Sequence, residues 1–277
     1  MLGTDLCCEL IAQGYRVFAT DIQEMDVRDS RQVKCVFGET CPDLVFHLAA
    51  LTDVDGCEQQ PDEAYRTNTV GTQNIALACQ AVNIPLVYIS TISVFDGSKC
   101  EPYTEFDTPN PQSWYSRSKY EGEKIVERLL QRYYIVRAGW MFGGGPEDKK
   151  FVAKIIELAR THSELKIVDD KFGSPTYTRD FSRAVIKLSQ TGWYGLYHSV
   201  NTGTPCSRYE FAQKILEYTG IQNCKLTPVS SAWFPLAAPR PRMEATRNLH
   251  AELLGLDLMR PWQIALADYI SQLVNDD

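Results

Sequence analysis

The sequence predicts an α/β fold: a doubly wound parallel sheet with a smaller C-terminal lobe. Three observations carry this. Short apolar runs bounded by turn residues alternate with segments of helical period. The runs within 42–50, 85–90 and 133–140 are apolar along most of their length rather than alternating, as strands covered on both faces are. The chain, 277 residues and 44% hydrophobic, is long enough for one large domain or a domain with a smaller lobe. Right-handed crossovers put helices on both faces of such a sheet, and its ligands sit beyond the strands' carboxyl ends.

In chain order, residues 4–14 read as a helix ended by Gly14, and 16–20 (RVFAT) as a strand. Residues 28–37 read as a short helix, 42–50 contain an apolar strand, and a long helix covers about 61–82. A strand at 85–90 is followed by a polar, Pro-rich loop at 96–112, a helix at 113–131 and a strand at 133–140. Beyond Gly143-Gly144-Gly145, helices at about 148–160, 178–190, 207–219 and 260–274 mix with strands near 165–168, 196–200 and 225–229. Residues 1–145 are therefore expected to form the core, with 174–200 returning to it. Residues 146–173 and 201–277 are expected to form a lobe over the sheet's carboxyl edge. The stretch 235–242, PLAAPRPR, reads as an ordered loop or as a Pro-rich partner ligand.

Composition excludes several classes. A net charge of −7 with no long basic run argues against nucleic acid, whose phosphates supply most of that affinity. No run approaches the roughly 18 apolar residues of a membrane span, and no basic stretch leads into an apolar one at the start. A cytoplasmic protein is expected. The nine cysteines are scattered without a C-x-x-C, which fits reduced thiols, and Cys7 and Cys8 read as small residues on the first helix. His47, His162, His198 and His250 lack metal-ligand spacing, so no metal is expected.

The chemistry concentrates at Tyr115-Ser116-Arg117-Ser118-Lys119. Positions i and i+4 share a helix face, so the Lys119 ammonium lies near the Tyr115 phenol. A free phenol titrates near pH 10, and a fixed cation is expected to pull that value down. The pair then exchanges a proton with a carbinol oxygen. The competing reading is an exposed tyrosine and a solvated lysine, since so short a motif arises by chance. Thr91 ends the 85–90 strand, where its hydroxyl points to the ligand crevice; it reads as a partner for the same carbonyl oxygen or as a turn residue. Asn68 sits inside a long helix although Asn is a poor helix former, so something else holds it there. Asp21 follows Gly3 at close to the spacing at which an acid accepts adenosine ribose hydroxyls.

Together these residues resemble the extended short-chain dehydrogenase/reductase family, and within it the branch of dTDP-4-dehydrorhamnose reductases. The resemblance runs nearly the whole length, through FHLAALTDVDGCE, YRTNTVGTQNIA, YISTISVFDG, VRAGWMFG, LKIVDDKFGSPTYTRDF and RPRMEATRN. It implies a Rossmann-like core that binds NADH or NADPH and reduction of the C4 ketone of a nucleotide-linked deoxysugar, dTDP-4-dehydro-L-rhamnose first. Thr91, Tyr115 and Lys119 match the catalytic triad, with Lys119 also on the nicotinamide ribose, and Asn68 matches a residue that shapes the site. Leu2 and Gly3 match the end of the diphosphate loop. Asp21, Asp26 and Val27 match positions around the adenosine, and Ala49, Ala50, Leu51 and Thr52 the loop along the cofactor. Thr91, Ile92, Trp140 and Arg240 match the substrate side; Trp140 would pack against the sugar and Arg240 suit the anionic diphosphate. A homodimer is a further expectation.

The chain departs from the family pattern in places. Ile92 and Ser93 replace an Asp-Tyr, Lys171 a Gln, and Glu244 a Ser, which puts an acid near a phosphate site. The family also opens with an apolar strand and a G-x-x-G-x-x-G loop at a helix N-terminus, of which only the tail, ending at Gly3, is matched here; about ten residues are absent. Neighbouring strands would then keep unpaired groups, each costing about 1–3 kcal/mol. The expectation is that this chain binds dinucleotide poorly and an upstream-extended one binds well. Two rival readings keep the fold. One is a nucleotide-sugar epimerase or dehydratase, the latter disfavoured because Ile92 and Ser93 offer no added acid–base pair. The other is a non-catalytic NAD(P)-binding partner like the regulatory subunit of methionine adenosyltransferase.

Overall fold

A computed structural model of the chain describes residues 1–145, 148, 150–256 and 258–275. Helix α1 (Leu2–Ala12) is followed by an extended stretch and α2 (Ser30–Thr40), which Asp29 caps. Strand β1 (Val45–His47) leads through an irregular loop to α3 (Val54–Gln59) and α4 (Pro61–Tyr65). Helix α4 continues through a π-helical turn, Arg66–Gly71, into α5 (Thr72–Val82). Strand β2 (Leu86–Thr91) and a 3-10 turn (Ile92–Val94) precede α6 (Trp114–Leu129). Then come β3 (Tyr133–Ala138), β4 (Trp140–Phe142), α7 (Phe151–Thr161), β5 (Glu164–Val168), β6 (Phe172–Gly173) and β7 (Pro175–Tyr177). The chain closes with α8 (Thr178–Ser189), β8 (Gly195–Ser199), β9 (Cys206–Ser207), α9 (Arg208–Thr219), β10 (Lys225–Val229), α10 (Leu249–Leu253) and α11 (Trp262–Asn275).

The central sheet is parallel, in the order β1-β2-β3-β8. Alternate strand residues feed two cores. Leu86, Tyr88 and Ile135 join Val33 and Phe37 of α2, Ile75, Ala76 and Cys79 of α5, and Ile125 and Val126 of α6. Val87, Ile89, Tyr134 and Val136 join Leu6 and Leu10 of α1 with Phe181, Ala184 and Val185 of α8. The sheet is thus wound on both faces, and a one-residue slip of β2 would exchange the two sets. A separate core gathers Phe142, Ile155, Phe211, Ile215, Trp262, Leu266 and Tyr269 from β4, α7, α9 and α11. Two-stranded pairings attach to it: β5 with β10, β4 with β7, β6 with β9.

Four expectations change on contact with the fold. Residues 16–20 are extended but not a strand, because a strand needs a hydrogen-bonded neighbour and among the described residues none pairs with them. Tyr15, Phe18 and Ile22 there stay 47%, 46% and 59% exposed. The run 133–140 breaks at Gly139, where a Cβ would fall 2.3 Å from the Ser174 carbonyl, and Trp140 turns to pair with β7. The helix at 61–82 carries a widened turn. The helix expected from 148 begins at Phe151, with residues 146, 147 and 149 outside those described, as are 257, 276 and 277 of the expected lobe. All nine cysteines are unpaired, and no helix among the described residues is long and apolar enough to cross a membrane.

Candidate active site

Strand β2 is buried along its whole length and delivers Thr91 to its carboxyl end. The Thr91 hydroxyl accepts the Ser93 amide at 3.1 Å, which fixes its direction as the chain turns away. Helix α6 starts opposite, its first turn capped by Ser113, whose Oγ accepts the Ser116 amide. Close packing of α6 on β2 depends on Gly122: a Cβ there would fall 2.5 Å from Tyr88 Oη and 3.0 Å from the Asn68 carbonyl. That approach brings the Tyr115 phenol close enough to Thr91 for the threonine hydroxyl to act on its ionisation. One turn on, Lys119 Nζ donates to the Ile89 carbonyl at 2.7 Å and lies 4.2 Å from the centre of the Tyr88 ring. The structure therefore brings Thr91, Tyr115 and Lys119 to one end of β2.

The electrostatics differ from the sequence expectation. Tyr115 is not pulled down. Burial pushes its phenol up to about 12, opposed by the Thr91 hydroxyl and reinforced by the charges of Cys57 and Glu244. Burial also draws the Lys119 ammonium down to about 7, against the support of Glu123 one turn further along α6. Helical spacing sets which groups are neighbours; loss of water decides the direction of both shifts.

Asn68 explains its unusual place. It lies in the π-helical turn, where one extra residue frees the backbone from regular winding. Its fully buried amide accepts the Leu51 N–H at 2.8 Å and donates to the Leu51 carbonyl at 3.2 Å and Ser118 Oγ at 3.0 Å. Thr69 Oγ1 donates to the Ser118 carbonyl, and Thr72 Oγ1 donates to the Asn68 carbonyl while contacting His47 Nε2. Asn68 thus ties the loop after β1 to the helix carrying Tyr115. His47 is held neutral, its pKa lowered to about 3 by burial and then by the Lys119 charge.

Behind the site, Arg137 on β3 and Glu123 on α6 form an ion pair at 2.6 Å, each side chain only 2% exposed. Arg137 Nε donates to the same carboxylate at 2.9 Å and Ser90 Oγ donates to it at 2.5 Å. Sheet, catalytic-helix candidate and the residue before Thr91 are braced together.

The expected dinucleotide positions form a looser edge. Leu2 and Gly3 open α1; Gly3 is exposed, and a Cβ there would meet Leu48 only at 4.0 Å. Ala49 and Thr52 are exposed, Ala50 and Leu51 half-buried. Asp21 is exposed in a turn where its Oδ1 accepts the Ile22 amide. Asp26 is engaged by Arg28 at 2.7 Å, and Val27 is buried against Gly71.

At the positions expected to meet the substrate, the Trp140 indole is held between two groups. A Cβ on Gly173 would fall 2.2 Å from Cε2, so main chain covers one face, and the Arg208 guanidinium stands 3.5 Å from the ring centre. Two groups that close cannot share a face. Trp140 Nε1 donates to Glu244 Oε2 at 3.0 Å, and Ser93 Oγ donates to Glu244 Oε1 at 2.7 Å. Ile92, expected beside the substrate, is 1% exposed and buried, while the Ser93 hydroxyl turns to Glu244 instead. Arg240 reaches across to Asp55 at 2.8 Å and is not a free cation. Arg208 was not singled out by the sequence. Its guanidinium makes no hydrogen bond or ion pair among the described residues, stacking only on Trp140 and Phe151, and burial lowers its pKa to about 10. As the first residue of α9 it carries no motif or period that marks it.

Comparison with known proteins places this geometry. The profile described as the RmlD substrate binding domain matches residues 1–275. The spore coat polysaccharide biosynthesis protein SpsK of Bacillus subtilis is 37% identical over 271 residues, covering 98% of this chain and 94% of that protein. A crystal structure of a dTDP-4-dehydrorhamnose reductase from Clostridium acetobutylicum is 41% identical, with a TM-score of 0.95, over 99% of this chain and 96% of that one. The dTDP-4-dehydrorhamnose reductase of Bacillus anthracis, solved in complex with NADP, is 38% identical, with a TM-score of 0.94, over 98% and 95%.

Proposed function

Because the chain belongs to the RmlD substrate binding domain family, we propose that it uses NAD(P)H to reduce the C4 ketone of a nucleotide-linked deoxysugar, converting dTDP-4-dehydro-L-rhamnose to dTDP-L-rhamnose. The observation that carries this reading is the meeting of Tyr115 and Thr91 at the end of β2, with Lys119 one turn along the same helix and bonded to the Ile89 carbonyl. The same triad favours an enzyme over a partner-binding protein that has lost catalysis.

The donor set fits the nicotinamide-ribose end of a dinucleotide. Lys119 Nζ uses one N–H on Ile89, leaving donors for a ribose diol. Gly3 and Ala49 present exposed, small residues at the start of α1 and after β1. In this proposal Lys119 holds the nicotinamide ribose and Asp21 the adenosine ribose, with Asp26 and Val27 nearby. Ala49, Ala50, Leu51 and Thr52 line the dinucleotide, and Leu2 and Gly3 approach the diphosphate. Bound NAD(P)H supplies the hydride.

Tyr115 Oη then gives its proton to the sugar O4. A phenol raised to about 12 is fully protonated at neutral pH, the state a proton donor needs. Thr91 Oγ1 orients the carbonyl. When the phenol ionises, the Lys119 ammonium stabilises the anion. Asn68 positions α6 through Ser118 and the cofactor loop through Leu51. Residues 1–145 with 174–200 serve the dinucleotide, and 146–173 with 201–277 the sugar; the apolar core of α7, α9 and α11 supports a second lobe, which Phe142 and Tyr177 join from the first. A cytoplasmic homodimer that binds no nucleic acid completes the proposal.

The direct test is absorbance of the reduced nicotinamide, with dTDP-4-dehydrorhamnose as substrate and dTDP-rhamnose identified by mass. Absence of turnover across a panel of 4-keto sugar nucleotides sinks the proposal. Cofactor choice follows from Asp21. Its exposed carboxylate repels a 2′-phosphate, and the nearby cations are engaged, Arg28 with Asp26 and Arg16 against Phe18. NADH is the expected preference. Asp21→Asn is expected to shift the kcat/KM ratio towards NADPH by about 10- to 100-fold, the worth of a charged hydrogen bond; an unmoved ratio removes Asp21 from the ribose site.

A further inference from the structure

Glu244 places a buried carboxylate between Ser93 and Trp140; among the described residues no cation stands at ion-pair distance, and the Arg208 guanidinium is near enough only for the two charges to act on one another. Glu244 is 8% exposed, and its main chain is fixed: its amide donates to the Phe172 carbonyl at 2.8 Å, and the Phe172 amide donates to the Arg242 carbonyl at 2.8 Å. Each carboxylate oxygen takes one protein donor, Ser93 Oγ at 2.7 Å and Trp140 Nε1 at 3.0 Å. A carboxylate has about four acceptor sites, so about half of its capacity is unmet.

Its side-chain neighbours belong to the proposed reaction site. Ser93 follows Thr91 by two positions, and Glu244 is close enough to Tyr115 for its charge to act on the phenol. The indole faces of Trp140 are taken by Gly173 and Arg208, so a hexose meets the nitrogen-bearing edge of the ring, where Glu244 sits. Recognition at that edge is by hydrogen bonding rather than stacking.

We propose that Glu244 is a specificity-determining residue that accepts a hydrogen bond from the hexose C3 hydroxyl, beside the carbonyl that Tyr115 serves. The inference rests on the ketone-reductase reading and refines it. A site built around a buried acceptor rejects a substrate that lacks the matching donor. Ser93 and Trp140 already satisfy part of this carboxylate, so the discrimination is about 10- to 100-fold, the range for one hydrogen bond to a charged group.

The test compares kcat/KM for dTDP-4-dehydro-6-deoxyhexose and its 3-deoxy analogue, using the full chain and following NADH oxidation. Wild type is expected to favour the 3-hydroxyl by about 10- to 100-fold. Glu244→Ala is expected to bring the ratio close to one, and Glu244→Gln, which keeps length and one oxygen, to give an intermediate value. A purely structural Glu244 would lower both substrates together and leave the ratio as in wild type, which overturns the inference. Should Glu244→Ala fail to fold, Glu244→Gln decides by the same ratio. Wild-type turnover without preference overturns this inference alone; no turnover of any 4-keto sugar nucleotide overturns the functional reading and this inference with it.

Discussion

Tyr115→Phe lowers kcat by about 10²- to 10⁴-fold, the range for a positioned proton donor, while dinucleotide affinity stays near that of the parent chain. The substitution keeps the ring and removes only the hydroxyl on which Thr91 acts. Ionisation of Lys119 adds a second signature. A lysine is charged below its pKa, and burial has brought this one down to about 7 with Glu123 opposing. Raising the pH through about 7 therefore removes the ammonium from the free enzyme, and kcat/KM, which reports free-enzyme ionisations, falls there. The phenol stays protonated throughout, since its own value is near 12. Single-turnover oxidation of NADH measures the first effect, fluorescence titration the affinity, and a pH series the second. A Phe variant that keeps most of its turnover removes Tyr115 from the chemistry.

Arg137→Met is expected to destabilise the fold by about 3–5 kcal/mol, the loss found when one member of a buried ion pair is removed. Glu123 would keep its charge at 2% exposure with only the Ser90 hydroxyl as hydrogen-bond partner. In a chain of this size the midpoint of thermal unfolding drops by about 10 °C. Replacing both members, Glu123→Leu with Arg137→Met, is expected to recover most of that loss, because the cost lies in the stranded charge rather than in the missing bond. Thermal melts of the single and double variants decide it; a single variant that melts within about 2 °C of the parent shows that the site rearranges or admits water.

What the sequence made legible follows physical range. Strands β2 and β3 and helices α6, α8 and α9 announce themselves through apolar runs and period, because neighbours along the chain determine them. The Tyr115–Lys119 pair is legible for the same reason, and Asn68 through its poor fit to a helix. The direction of the Tyr115 shift is not, since helical spacing reports proximity but not burial. Arg208 is silent because its contact with Trp140 joins distant parts of the chain and its own position is an ordinary helix start. Residues 16–20 have the composition of a strand, yet pairing depends on a neighbour that composition cannot specify.

The widened turn at Arg66–Gly71 governs how this region tolerates changes of length. Deleting one residue there would restore regular winding and look harmless in any measure of helix content. It would also rotate everything upstream by about 100° relative to α5, the angle one residue subtends in an α-helix, and carry the Asn68 amide away from Leu51 and Ser118. Straightening the rod would thus improve it locally and uncouple the two halves of the cleft. In homologues, an alignment gap falling inside these six positions is therefore a warning that the crevice is assembled differently.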